Sequence, residues 1–398
     1  MRRRDLLGGL AAATLSSRTA AAAEKDRGPV IESLEIARVQ VNHRGDWLLL
    51  RAKASNGLTG VGDASHGGDP KRQAELIRKI FAGLQGRSIY DVEWLRQSAA
   101  KEFQQAARLA ATAVSALEQT LWDLQGKTAG VPVYDLFGGA LRRDIRTYAN
   151  INRTVVDRTP KGFVEVAKRA VDDGFDAVKL APFDGMPPIA QNAPEVKRWT
   201  DLGVGCAEAV RSAIGPMRDV LIDCHSHFNR ELGLLLAERL APLNLFWLEE
   251  VTPANPLSDL AALNEAAKMP TAGGETIYGV HGFYPYIAGK AVDVVMPDVK
   301  CCGGLLETKK ISGIAEGAGL QVSPHGPASP VGGMAAAHLC ATLPNFLILE
   351  HAYGEVPWRA EIITPAEKIN HGLIRLSDAP GFGIDWNEAE ISRHRVAL

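Results

Sequence analysis

Six apolar runs in the second half of the chain each end in an acid or a base, and those endings are almost evenly spaced. Asp219-Val-Leu-Ile closes on Asp223, Asn244-Leu-Phe-Trp-Leu on Glu249 and Glu250, and Met269-Pro-Thr-Ala-Gly-Gly on Glu275. Ala291-Val-Asp-Val-Val-Met-Pro leads to Asp298, Leu320-Gln-Val-Ser-Pro to His325, and Asn345-Phe-Leu-Ile-Leu to Glu350. From Asp223 to Glu350 the steps are 26, 26, 23, 27 and 25 residues. One strand, one helix and two short loops need about that length, so the series reads as repeated βα units. Upstream, Phe175-Asp-Ala-Val ends in Lys179 in the same manner. Polar groups at the carboxyl ends of successive parallel strands are what the active-site face of a (β/α) barrel requires.

The rest of the chain reads differently. Residues 1–23 join a basic start, Met1-Arg-Arg-Arg-Asp-Leu-Leu7, to a mildly apolar stretch and Ala20-Ala-Ala-Ala23. That is the pattern of an export signal of the twin-arginine type, so a periplasmic location is expected. From Val30 to Asp63 apolar residues alternate around the turns Asn56-Gly57 and Thr59-Gly60, as in a small antiparallel sheet with loops at His43 and His66. Helical spacing follows, with Leu109, Ala113, Leu117, Leu121 and Leu124 on one face. The expected architecture is α/β: an α+β capping domain over 29–140, a (β/α) barrel over 145–360, and a segment 361–398 returning to the cap. No apolar run is long enough to span a bilayer, and a net charge of −2 gives no reason to expect a nucleic acid partner. The five cysteines are odd in number and lack zinc-type spacing, and none is expected to be catalytic.

The strand ends carry a chemistry of their own. Asp223, Glu249 and Glu275 fall on consecutive strands, where three converging carboxylates must bind a cation or take up a proton. An all-oxygen set suits a hard ion, so one Mg²⁺ is expected. Glu250 alternates away from them. Asp298 beside His325 would orient the imidazole as a general base. Strand alternation puts His225 on the same side as Asp223, where it could act as an acid. Lys179 would stand near developing negative charge, Glu350 would close the ring, and Lys300 reads as structural. Together these groups describe removal of a proton next to a carboxylate, followed by loss of a hydroxide from the neighbouring carbon.

Several motifs, in order and spacing, resemble the enolase superfamily in its mandelate racemase-like branch, nearest the acid-sugar dehydratases. They are Trp47 and Gly60-Val-Gly-Asp63, then Ala116-Leu-Glu-Gln-Thr-Leu-Trp-Asp-Leu-Gln-Gly-Lys127 and Pro132-Val-Tyr-Asp-Leu-Phe-Gly-Gly139. Trp247-Leu-Glu-Glu250, Gly274-Glu275, Pro297-Asp298 with Gly303-Gly304, Pro324-His325-Gly326 and Leu349-Glu350 complete the set. The resemblance implies magnesium on Asp223, Glu249 and Glu275, a catalytic dyad of Asp298 and His325, and a substrate role for Glu350. Two departures narrow it. Ala181 stands where many relatives carry the second lysine of Lys-X-Lys, which argues against a lysine–histidine racemase. His225 replaces the asparagine of racemase-like members and matches the galactonate- and mannonate-type dehydratases. The expected function is dehydration of a small sugar acid, an aldonate or aldarate, to a 2-keto-3-deoxy acid by a homo-oligomeric hydro-lyase. The alternatives are a racemase or epimerase using His325 and His225 as opposed bases, and an exported binding protein without catalysis.

Overall fold

The computed structural model describes residues 28–105, 107–186 and 193–398. The amino-terminal segment read as an export signal lies outside them, as do residues 187–192 of the loop after Lys179. Strands β1 (Ile31–Asn42), β2 (Gly45–Ala54) and β3 (Thr59–Asp63) form an antiparallel meander. Helices α1 (Pro70–Leu84), α2 (Val92–Ser98), α3 (Ala100–Gln105) and α4 (Ala107–Ala129) follow. Asp69 caps α1 by accepting from Arg72 N, and Pro70 takes the first helical position, where a missing N–H costs nothing.

Helix α4 is buried on nearly every side from Ala110 to Gly126, because it is sandwiched between the cap sheet and the barrel. Gly60 and Gly62 make the close approach of β3 possible. A Cβ on Gly62 would sit 2.3 Å from the Ala116 carbonyl, and one on Gly60 would sit 2.2 Å from that of Thr120.

After α5 (Val133–Leu136) the chain enters the barrel through β4 (Asp144–Asn150). Helix α6 (Pro160–Asp172), β5 (Ala177–Leu180), α7 (Ala193–Ile214), β6 (Asp219–Asp223), α8 (Arg230–Leu240) and β7 (Trp247–Glu249) come next. Then follow α9 (Leu257–Ala266), β8 (Thr271–Gly273), α10 (Gly279–Ala288), β9 (Val294–Val295), α11 (Leu305–Gly317), β10 (Gln321–Val322), α12 (Pro330–Cys340) and β11 (Leu349–Ala352). Strands β4 to β10 pair in parallel in sequence order, and β11 returns to pair with β4. A bridge from Val322 to Phe346 joins β10 to the approach to β11 and closes the ring.

The barrel interior is a packed plug of Tyr148, Leu221, Trp247, Val294, Met296 and Ile348, so the site stands on a solid floor. The C-terminal segment does two things. Its strand β12 (Leu373–Arg375) pairs antiparallel with β4, while β13 (Arg395–Val396) pairs with β1 in the cap. A second tie between cap and barrel is polar. Glu118 of α4 accepts from Leu305 N at 2.7 Å and Leu306 N at 2.9 Å, filling donors left open at the start of α11. All five cysteines are buried and unpaired, and among the described residues no helix is long and apolar enough to cross a membrane.

Candidate active site

The parallel register lifts one acid after another to the same rim. Asp223 ends β6 directly opposite Glu249, which ends β7, and Glu275 lies just beyond β8. One oxygen from each falls within 4.8 Å of the others. Lys179 reaches the same group from β5, with Nζ 2.8 Å from Glu249, 3.2 Å from Glu350 and 3.5 Å from Asp223. Burial works against the lysine's charge, but Glu249 and Glu350 outweigh it and hold its pKa well above the ordinary value. Burial, then the Asp223 charge, drives Glu249 far upward, although Trp247 Nε1 donates to its Oε2 at 2.8 Å. Asp223 goes the other way: burial is overcome by His225 and Lys179, and it stays below the usual carboxylate range.

Crowding that forces one carboxylate towards protonation is what a cation relieves. The donor set is entirely oxygen, and Glu275 Oε2 is buried without a hydrogen bond. These residues therefore fit a hard divalent ion. Glu250 stays outside the group, one residue past β7 at a left-handed φ of 45°. Its carboxylate accepts from Gly274 N at 2.7 Å and Ser226 Oγ at 3.1 Å, and burial with the nearby Glu275 raises it to about 7.

On one side of this group stands His325, just beyond β10. Its Nδ1 lies 2.7 Å from Asp298 Oδ2, and Lys300 Nζ lies 2.6 Å from the same oxygen. Burial would raise Asp298, but Lys300 and His325 hold it below the carboxylate range, so it accepts and the histidine carries its proton on Nδ1. Nε2 is left facing inward, 3.1 Å from Glu275 and 3.8 Å from Glu350. Burial opposes the imidazolium, yet Glu275 and Glu350 lift the His325 pKa to about 9. Glu350 is itself anchored by Gly326 N at 2.9 Å, and against burial Lys179 holds its pKa down at about 2.

On the other side stands His225, and here the geometry departs from the sequence reading. Strand β6 stops at Asp223, and His225 and Ser226 turn through left-handed φ values of 43° and 59°. Strand alternation is therefore not what brings His225 inward. A tight turn does so, with His225 N donating to Asp223 Oδ1 at 2.9 Å, while Cys224 packs into the outer core beside Phe228. His225 Nε2 lies 3.1 Å from Asp223 Oδ2, and Nδ1 meets Asp184 Oδ1. Burial opposes its charge, but Asp223 and Asp184 raise its pKa well above the ordinary value.

Asp184 was not singled out by the sequence. The signal available was a Phe-Asp-Gly turn shortly after a strand-end lysine. Nearby, cap residues His43, Arg44, Trp47 and His66 line a cavity of about 420 Å³. His66 is fixed from the barrel by Arg153 Nη2, 2.9 Å from its Nε2.

Residues 162–390 match the family described as enolase C-terminal domain-like. Residues 21–138 match the mandelate racemase/muconate lactonizing enzyme N-terminal domain. The chain belongs to the mandelate racemase/muconate lactonizing enzyme branch of the enolase superfamily. A D-gluconate/D-galactonate dehydratase of Picrophilus torridus is 31% identical, over 86% of this chain and 86% of its own. A D-xylonate dehydratase of Haloferax volcanii is 28% identical, over 92% of this chain and 89% of its own. Among solved structures, a mandelate racemase/muconate lactonizing enzyme-like protein of Rubrobacter xylanophilus superimposes with a TM-score of 0.85 at 33% identity, covering 93% of this chain and 98% of that one.

Proposed function

We propose that the protein is a Mg²⁺-dependent dehydratase of a sugar acid, an aldonate or aldarate, releasing water and a 2-keto-3-deoxy acid. The observation that carries this reading is the pair of opposed histidines. His325 follows β10 and His225 follows β6, opposite positions in the ring of β4 to β11, and each presents Nε2 to the carboxylate group with Nδ1 on an aspartate. Asp223, Glu249 and Glu275 would hold the magnesium, which supplies charge neutralisation and polarises the substrate carboxylate, making the α-proton accessible.

His325 acts in its neutral form, with Nε2 free to take the α-proton, and Asp298 stabilises the imidazolium that forms. The electron pair left at the α-carbon forms the double bond to the β-carbon as the C–O bond there breaks. The departing hydroxyl takes a proton from His225 Nε2 and leaves as water. The resulting enol takes a proton at the β-carbon and gives up its hydroxyl proton, becoming the 2-keto acid. Lys179 and Glu350 fix the charge balance on the remaining flank.

Dehydratases named among the relatives support the reaction class, and the His225 departure supports it over epimerisation. The test is keto-acid formation from a panel of aldonates and aldarates, abolished by a chelator and restored by Mg²⁺. Recovery of α-deuterated substrate of inverted configuration from D₂O, without keto acid, would favour the epimerase instead. Export is proposed alongside, supported by Arg2-Arg3-Arg4 before Asp5-Leu6-Leu7. Replacing those arginines by lysine should leave the protein in the cytoplasmic fraction, and unchanged periplasmic recovery would argue against that route.

A further inference from the structure

His225 occupies a less secure position than His325. It lies on a left-handed turn, and its side chain is 32% exposed where that of His325 is 16% exposed. An imidazole so placed can turn about its side-chain torsions unless something holds the ring nitrogen that faces away from the substrate. Asp184 meets that nitrogen. Its Oδ1 is taken by His225 Nδ1, and its Oδ2 is taken by three donors. Arg44 Nη2 lies 2.9 Å away, Arg158 Nη2 3.1 Å and Asn152 Nδ2 3.1 Å. With both oxygens committed, the carboxylate cannot rotate, and so the ring it holds cannot rotate either.

Two of those donors come from the segment following β4, but Arg44 belongs to the turn between β1 and β2 in the cap. The contact therefore runs from the cap, through one barrel loop, to the imidazole.

We infer that Asp184 is the positioning residue for His225, and that through Arg44 it makes the orientation of that histidine depend on the cap loop being seated. The inference rests on the dehydratase reading for its kinetic consequence, though not for the contact itself. Asp184 touches no reacting atom. It keeps Nε2 aimed at the carboxylate group, so its loss should damage protonation of the leaving hydroxyl and spare removal of the α-proton, which belongs to His325.

The test uses the full chain with Mg²⁺ and two readouts. The first needs no substrate: a downfield Nδ1 proton resonance, assigned by its disappearance in His225→Asn, should vanish in Asp184→Ala. The second follows α-proton exchange in D₂O against keto-acid formation. In Asp184→Ala dehydration should fall about 100-fold while exchange stays within about threefold. Asp184→Asn keeps the shape of the side chain without its charge, and should show the same imbalance more weakly. It carries the test if the alanine variant does not fold.

Persistence of the resonance would overturn the contact, and equal loss of exchange and dehydration in a folded variant would overturn the positioning role. A wild-type protein that forms no keto acid from any sugar acid would count against the dehydratase reading alone. The resonance would still decide for or against Asp184.

Discussion

The two histidines of the site are built alike at the first contact and differently at the second. Each puts Nδ1 on an aspartate and Nε2 towards the carboxylates. Behind His325 the support is an aspartate with a lysine two residues on, Asp298 and Lys300, both buried. Behind His225 it is a loop aspartate held by arginines that are about a third exposed, one of them from the other domain. A base that must be ready before substrate arrives gains from a buried support. A proton donor needed only as the C–O bond breaks can be assembled from two domains, and its orientation then depends on how the cap is seated.

The largest effect should come from the rigid side. His325→Asn should lower both exchange and dehydration by about 10⁴-fold, since no second base faces the α-carbon from β5, where Ala181 stands. Retained exchange in that variant would reverse the two roles. Lys300→Met should be next: breaking a buried ion pair and leaving Asp298 with one partner fewer should cost about 3–5 kcal/mol of stability, read by denaturant unfolding. A loss below about 1 kcal/mol would mean that the two sides are equally soft.

Arg44→Met probes the softer side and should cost little stability, under about 1 kcal/mol, because the pair is part-exposed and Asp184 keeps Arg158. Its mark should be kinetic, about a tenfold fall in dehydration with exchange preserved. A fall in both would show that the cap supports the whole site and not the donor side alone. The smallest effect belongs to Glu250→Gln. That side chain bonds Gly274 and Ser226 outside the carboxylate group, so metal affinity should change by less than about threefold by calorimetry. Glu249→Gln should lose the metal. The opposite pattern would shift the strand register by one residue.

What could be read from the sequence follows the same division. Asp223, Glu249, Glu275, Asp298, His325 and Glu350 were legible because a repeated βα unit imposes a period, and a period survives in a linear string. Lys179 was legible for the same reason, although its contacts with Asp223, Glu249 and Glu350 were not. Asp184 and Arg44 were hidden because their meeting depends on a long loop and on the docking of two domains, neither of which has a period. His225 was found by an argument that the backbone does not follow, since the strand ends two residues earlier in a left-handed turn. The buried Glu118 was quoted only as part of a helix motif. Its work, capping α11 across the domain boundary, needs the fold to be seen.

The division of labour between the two histidines is tested most directly by His225→Asn in D₂O, with Mg²⁺ and a sugar acid that the wild-type protein dehydrates. Deuterium incorporation at the α-carbon and keto-acid release are followed in the same tube. The expected result is continued exchange with dehydration reduced by at least about 100-fold. Loss of exchange in step with dehydration would contradict it, because His225 would then be needed before the leaving hydroxyl is ever protonated.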